Sequence, residues 1–138
     1  MTGPIPTVSQ PVLSAAEAQL FVFDITASCA FFTEKLGFRV SFTYGEPAFY
    51  AQVKRDSAAL NLRLVHEPVF VGDIREREEL LSASMTLDSA AGIRQLFLSY
   101  QEAGVEFFRP LQKEPWGART FIVRDPDGNL LLFAGPAT

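Results

Sequence analysis

The chain has 138 residues, long enough to bury one core without disulfides or structural metals. With 12 Lys and Arg against 16 Asp and Glu, it is mildly acidic, which argues against binding nucleic acid through a basic surface. One cysteine, Cys29, and one histidine, His66, exclude an intrachain disulfide and any site needing two imidazoles or several thiolates from one chain.

Residues 1–14 carry Pro4, Pro6 and Pro11 among Thr and Ser, and read as a flexible N-terminal arm. Residues 15–138 read as a single domain. No secretory signal and no apolar run near the ~20 residues of a membrane span is visible, so the expected location is the cytoplasm and no membrane partner is expected.

Residues 18–23, rich in β-branched and aromatic side chains, predict a strand. A short helix follows Asp24, with Thr26 or Ser28 as candidate N-caps, an apolar stripe of Phe31, Phe32 and Leu36, and Gly37 as its stop. Residues 38–44 predict a second strand. Residues 49–54 and 58–65 predict a hairpin around Arg55-Asp56-Ser57. The charged run over residues 73–79 suggests a solvated connector or short helix.

The pattern then repeats. Residues 82–87 predict a strand, followed by Asp88 as Asp24 followed the first, and residues 90–102 predict a helix closed by Gly104. A strand over residues 105–108 follows. Residues 120–124 and 129–134 form a hairpin about Asp125-Pro126-Asp127-Gly128, where Pro presets one turn residue and Gly supplies a positive φ. Each half reads β-α-β-β-β, module one over about residues 16–68 and module two over about 80–135, which indicates a duplicated α+β unit.

Strand alternation sorts the side chains onto two faces. Leu20, Val22, Leu60, Leu62, Met85, Leu131 and Phe133 share an apolar face for the helices. Gln19, Phe21, Phe23, Tyr50, Gln52, Asn61, Arg63, Ser82, Thr120, Ile122 and Leu132 share a face that mixes apolar residues with neutral polar groups and an arginine. That composition fits the wall of a small-molecule pocket, or a polar seam between two modules or subunits.

Val22-Phe23-Asp24, a helix ending Lys35-Leu36-Gly37-Phe38, and the segment Pro115-Trp116-Gly117-Ala118-Arg119 running into Asp125-Pro126-Asp127-Gly128-Asn129 resemble the vicinal-oxygen-chelate superfamily. That group includes glyoxalase I, extradiol dioxygenases and fosfomycin- and bleomycin-resistance proteins, and the likeness is to its bleomycin-resistance branch. The resemblance implies two tandem β-α-β-β-β modules forming a curved sheet cleft, and homodimers whose clefts draw on both subunits. It also implies four ligand positions in metal-using members, which here carry Glu17, Asn61 (or Arg63), Ser82 and Leu132. A transition metal wants three or four N, S or carboxylate ligands, which Asn, Ser and Leu do not supply.

The expectation is therefore metal-independent and cofactor-free capture of a largely apolar, aromatic compound, such as an antibiotic or secondary metabolite, at a dimer interface. The expected ligand-binding residues are Phe21, Phe23, Tyr50, Asn61, Arg63, Ser82, Trp116, Thr120, Ile122 and Leu132. Trp116 would stack on the ligand or act as a packing lid; Arg63 would orient an anionic or carbonyl group. One alternative is a glyoxalase- or dioxygenase-type enzyme with an atypical site recruiting Glu17 and His66. Another is a scaffold whose cleft is a protein interface.

Overall fold

A computed structural model describes residues 10–138. Of the expected N-terminal arm, residues 1–9 lie outside the described residues, while residues 10–14 are exposed and carry no regular structure. The elements run β1 (Ala18–Val22), α1 (Ile25–Glu34), β2 (Arg39–Tyr44), β3 (Tyr50–Arg55), β4 (Ala58–Leu64), α2 (Ile74–Arg77), β5 (Leu81–Thr86), α3 (Ala90–Glu102), β6 (Phe107–Lys113), β7 (Arg119–Arg124) and β8 (Leu130–Gly135).

They form two four-stranded sheets of matching topology, β1-β4-β3-β2 and β5-β8-β7-β6. In each, the first strand pairs in parallel with the last and the remaining pairs are antiparallel. The fold is thus the expected α+β pair of tandem modules. No helix among the described residues is long and apolar enough to cross a membrane.

The helices cover one face of each sheet. Leu20, Val22, Ala51, Val53, Leu60 and Leu62 of the first sheet are buried with Phe32 and Leu36 from α1 and the loop after it. The second sheet contributes Phe121, Val123, Leu131 and Phe133, packed on Ile93 and Tyr100 of α3. All belong to one continuous cluster, so the modules share a core. Its second half is an aromatic stack: Phe121 lies parallel to Phe133 at 5.0 Å, and Tyr100 meets Phe133 edge-on at 5.5 Å.

Several local expectations change. Asp24 itself, rather than Thr26 or Ser28, caps α1, its Oδ1 accepting from the Ala27 amide at 3.0 Å. It can do so because it already has extended backbone while its carboxylate reaches back over the first turn. In the second module Ser89, one residue after Asp88, takes that role. The strand expected over residues 105–108 starts later and runs on to Lys113, past Pro110. Proline is tolerated because β6 is an edge strand with an irregular register against β7.

The charged connector is a short helix, but it is tied down. Arg124 bonds Glu76 at 2.8 Å through Nε, and Arg109 bonds Glu79 at 2.8 Å. Arg75 donates to the Asp127 carbonyl at 3.2 Å and lies over the Phe70 ring. The mixed-sign run therefore anchors the linker to module two, using arginines on both sides of the contact.

Candidate ligand-binding faces

Strand register builds the first candidate wall. On the face of the first sheet turned away from α1, Gln19, Asn61, Gln52 and Phe42 align in one row across β1, β4, β3 and β2. Phe21, Arg63, Tyr50 and Tyr44 align in the next. The amides order one another: Gln52 Nε2 donates to Asn61 Oδ1 at 2.9 Å, and both residues are buried. The Tyr50 hydroxyl donates to Gln19 Oε1 at 3.1 Å, and the Tyr50 ring stacks with Phe42 at 6.1 Å. Arg63 stands exposed, and among the described residues no carboxylate forms an ion pair with it. The result is a surface of four aromatic rings and three amides, with one guanidinium that has no partner among the described residues.

The second sheet presents a corresponding pair of rows. Ser84, Leu132, Ile122 and Arg109 align across β5, β8, β7 and β6, beside Thr86, Ala134, Thr120 and Gln112. Ile122 and Leu130 are buried although they stand outside the main core cluster. Thr120 is also buried, and its hydroxyl donates to Glu114 Oε1 at 2.6 Å. The same oxygen accepts from Gln112 at 3.1 Å and from Arg109 at 3.0 Å. These contacts, the Thr120 hydroxyl foremost, hold the Glu114 carboxyl below its ordinary range.

Glu114 was not among the residues expected at the site. Its role arises from the turn that follows it, in which Glu114 N–H donates to the Ala118 carbonyl and Gly117 N–H to the Glu114 carbonyl. The same turn leaves Trp116 74% exposed. A glutamate directly before Pro-Trp-Gly was the one available signal.

The remaining expected residues sit at the junction of the modules. Phe23 is half-exposed just beyond β1, and its amide donates to Asp127 Oδ1 at 3.0 Å. The Ser82 hydroxyl donates to Asn129 Oδ1 at 3.2 Å. Asn129 Nδ2 in turn donates to the Phe21 carbonyl at 3.0 Å and to Asp125 Oδ2 at 2.8 Å. The Asp-Pro-Asp-Gly-Asn turn is thus also the clasp that ties module two to β1.

The structure therefore gathers Phe21, Tyr50, Asn61 and Arg63 on one wall and Thr120, Ile122 and Leu132 on another. Phe23 and Ser82 lie at the clasp, and Trp116 projects from its turn. A cavity of about 920 Å³ lies elsewhere, between the modules beside α3, and none of the ten expected residues lines it.

The metal positions implied by the resemblance do not suit a metal. Glu17 is exposed ahead of β1, Asn61 Oδ1 is occupied by Gln52, the Ser82 hydroxyl serves Asn129, and Leu132 is hydrocarbon. One carboxylate is not a transition-metal site. Among the described residues no three His, Cys, Asp or Glu side chains gather as a metal centre would require. Cys29 is half-buried in α1, and burial pushes its thiol pKa up, away from nucleophilic reactivity.

Comparison with known proteins agrees with this architecture. A glyoxalase/bleomycin resistance protein/dioxygenase from Alicyclobacillus acidocaldarius superposes with a TM-score of 0.71 at 18% identity, covering 89% of this chain and 91% of that one. A bleomycin resistance determinant encoded on transposon Tn5 gives 0.68 at 18% identity, covering 91% and 100%. A lactoylglutathione lyase from Agrobacterium tumefaciens gives 0.68 at 17% identity, covering 91% and 96%. At these identities the likeness is one of fold. No curated protein matches the sequence. The family description that does match spans residues 14–133, nearly the whole chain, and on that ground the protein belongs to the Glyoxalase/Bleomycin resistance protein/Dioxygenase superfamily.

Proposed function

We propose that the protein binds a flat, largely apolar aromatic small molecule without a metal and sequesters it, in the manner of an antibiotic- or secondary-metabolite-binding protein. We further propose that the cleft is completed by a second copy of the chain. The observation that carries this is the wall on the first sheet, where aromatic rings and mutually bonded amides leave one guanidinium free. Apolar surface with a few fixed polar groups is what an orienting pocket for such a compound requires. The fold is shared with both a resistance determinant and a lyase, so it does not choose between binding and catalysis. The donor set favours binding: Glu17 and His66, which an atypical enzyme would recruit, are both exposed and engage no partner side chain among the described residues.

The test is isothermal titration of the purified protein against a panel of neutral, anionic and cationic polycyclic aromatics. The expected result is saturable one-site binding of at least one class, weakened by Trp116→Ala and, for anionic members, by Arg63→Met. A panel with no saturable binder would refute the proposal.

A further inference from the structure

We propose that Glu114 determines specificity on the second wall: its free carboxylate oxygen binds a protonated nitrogen carried by the aromatic ligand, a role that rests on the open sheet faces being the ligand walls proposed above.

Glu114 is 8% exposed, yet its carboxylate is used from one side. The Thr120 hydroxyl, the Gln112 amide and Arg109 Nη2 all donate to Oε1, at 2.6, 3.1 and 3.0 Å. Oε2 bonds to no described residue. Among those residues the solvent-sealed polar atoms without a partner are Ser28 Oγ and the Nε atoms of Arg75, Arg109 and Arg119, so Oε2 keeps contact with solvent. Holding the turn together needs one acceptor, which a glutamine would supply equally. The second oxygen and the charge are left over.

The local charges do not cancel. Arg109 divides its guanidinium between Glu114 and Glu79, the latter at 2.8 Å, so the three groups sum to one negative charge. Lys113 and Arg119 are near in the chain but pair with each other, one position along from Gln112 and Thr120. Strand alternation therefore turns them to the opposite face. The hydrogen bonds from Thr120 and Gln112 also hold the Glu114 carboxyl below its ordinary range, so it is ionised at neutral pH.

The surroundings suit an aromatic cation. Thr120 shares its face with Ile122, which pairs with Leu132, so the carboxylate borders hydrocarbon. Trp116, two residues on and exposed, adds an indole that a cation can approach through its face. A fixed acceptor with unmet charge, beside apolar surface and an indole, matches an ammonium or amidinium on a planar ring system. Arg63 remains the partner for an anionic group, so the two walls read opposite charges.

The experiment is calorimetric titration of the full chain at pH 7.5 with two acridines: 9-aminoacridine, a cation at that pH, and acridine, which is neutral. The parent should bind the cation at least about tenfold more tightly, the scale of one charge-assisted hydrogen bond. Glu114→Gln keeps an acceptor for Thr120 and Gln112 but removes the charge. It should bring the two affinities within about twofold of each other by weakening the cation alone. Glu102→Gln, which removes an equal charge at the end of α3, should keep the preference. In the parent, 9-aminoacridine but not acridine should shift the Glu114 carboxyl carbon resonance, a readout that does not need the variant to fold. Equal affinity of the parent for the two acridines would overturn the assignment, as would an undiminished preference in Glu114→Gln or an equal loss of both ligands there. A carboxyl resonance that the cation leaves unmoved would do the same. If neither acridine binds, the role assigned to Glu114 falls, and the aromatic panel decides separately whether the ligand walls fall with it.

Discussion

Trp116 and Phe133 show how differently two aromatic residues of one module are used. Trp116 is 74% exposed on a turn, whereas Phe133 is 3% exposed within the aromatic stack. Trp116→Ala should leave folding stability within about 0.5 kcal/mol of the parent and weaken a stacked flat ligand by about 1–3 kcal/mol. Phe133→Ala should cost about 3–5 kcal/mol of stability. Denaturant unfolding and calorimetry on both variants check this, and equal destabilisation by the two would defeat it. A second residue-scale expectation concerns Asp125. Burial pushes its carboxyl up to about 6, against the hydrogen bonds from Asn129 and Asp127. A raised carboxyl pKa means the folded state holds the proton more tightly than the unfolded chain, whose value is about 3.9. This contribution is fully present below about pH 4 and is lost as pH rises through about 6, an effect of up to about 3 kcal/mol. Unfolding free energy should therefore fall from pH 5 to pH 7.5, and Asp125→Asn should flatten that slope. A parent protein equally stable at both values would contradict the assignment. The buried state of Asp125 is not legible in sequence, because it depends on a turn folding its own carboxylate inward, and for Glu114 the only signal is its place directly before Pro-Trp-Gly.

At the scale of elements the sequence was more informative, and particular residues show why. Gly37 and Gly104 end their helices with φ of +74° and +79°, a left-handed backbone that L side chains adopt only under strain. The α3 boundaries follow directly from the spacing of Ile93, Leu96, Phe97 and Tyr100. What the sequence did not reveal were contacts between elements distant in the chain. The sequence pointed to Thr26 or Ser28 as the α1 cap and passed over Asp24, because all three residue types cap well and composition does not rank them. The length of β6 was masked by Pro110, which reads as a strand terminator unless the strand is known to be an edge. Gly135 is another such case, since nothing nearby in sequence marks it as a close approach. A Cβ there would lie 2.9 Å from Ile93 Cβ and 3.0 Å from its Cγ2, so this glycine lets α3 sit directly on β8. Gly135→Ala should push the two apart and cost about 1–3 kcal/mol, the range for overpacking a well-filled core. Unfolding measurements on the variant test this, and a neutral or stabilising outcome would show that α3 shifts freely on the sheet.

At the scale of the whole molecule the two hairpins, the two-module duplication and the sorting of faces could be read from the sequence, whereas the parallel pairings of β1 with β4 and β5 with β8 could not. The completeness of the cleft could not, because it depends on what covers the open faces. Metal content gives one test: with Asn61, Ser82 and Leu132 at the implied ligand positions, purified protein should carry less than one zinc, nickel, iron or manganese per chain. A chelator should leave the thermal midpoint unchanged, since no metal-binding energy would be coupled to folding. Assembly gives the other. In the single chain Phe42 and Tyr44 are 42% and 67% exposed on edge strand β2, on the side of the first sheet turned from its helix and beside Tyr50. Clustered aromatic surface of this kind marks an interaction site in a folded protein, and a stable pair needs roughly 800 Å² covered on each partner. Sedimentation at micromolar concentration should therefore give twice the 15.3 kDa chain mass. Phe42→Glu places a charge on an exposed position, so the chain should fold normally yet sediment as a monomer and lose binding of the aromatic panel. A monomeric parent would remove the shared cleft from the proposal. A dimeric Phe42→Glu variant that still binds would place the interface on a different face and leave the aromatic wall open to ligand from one chain alone.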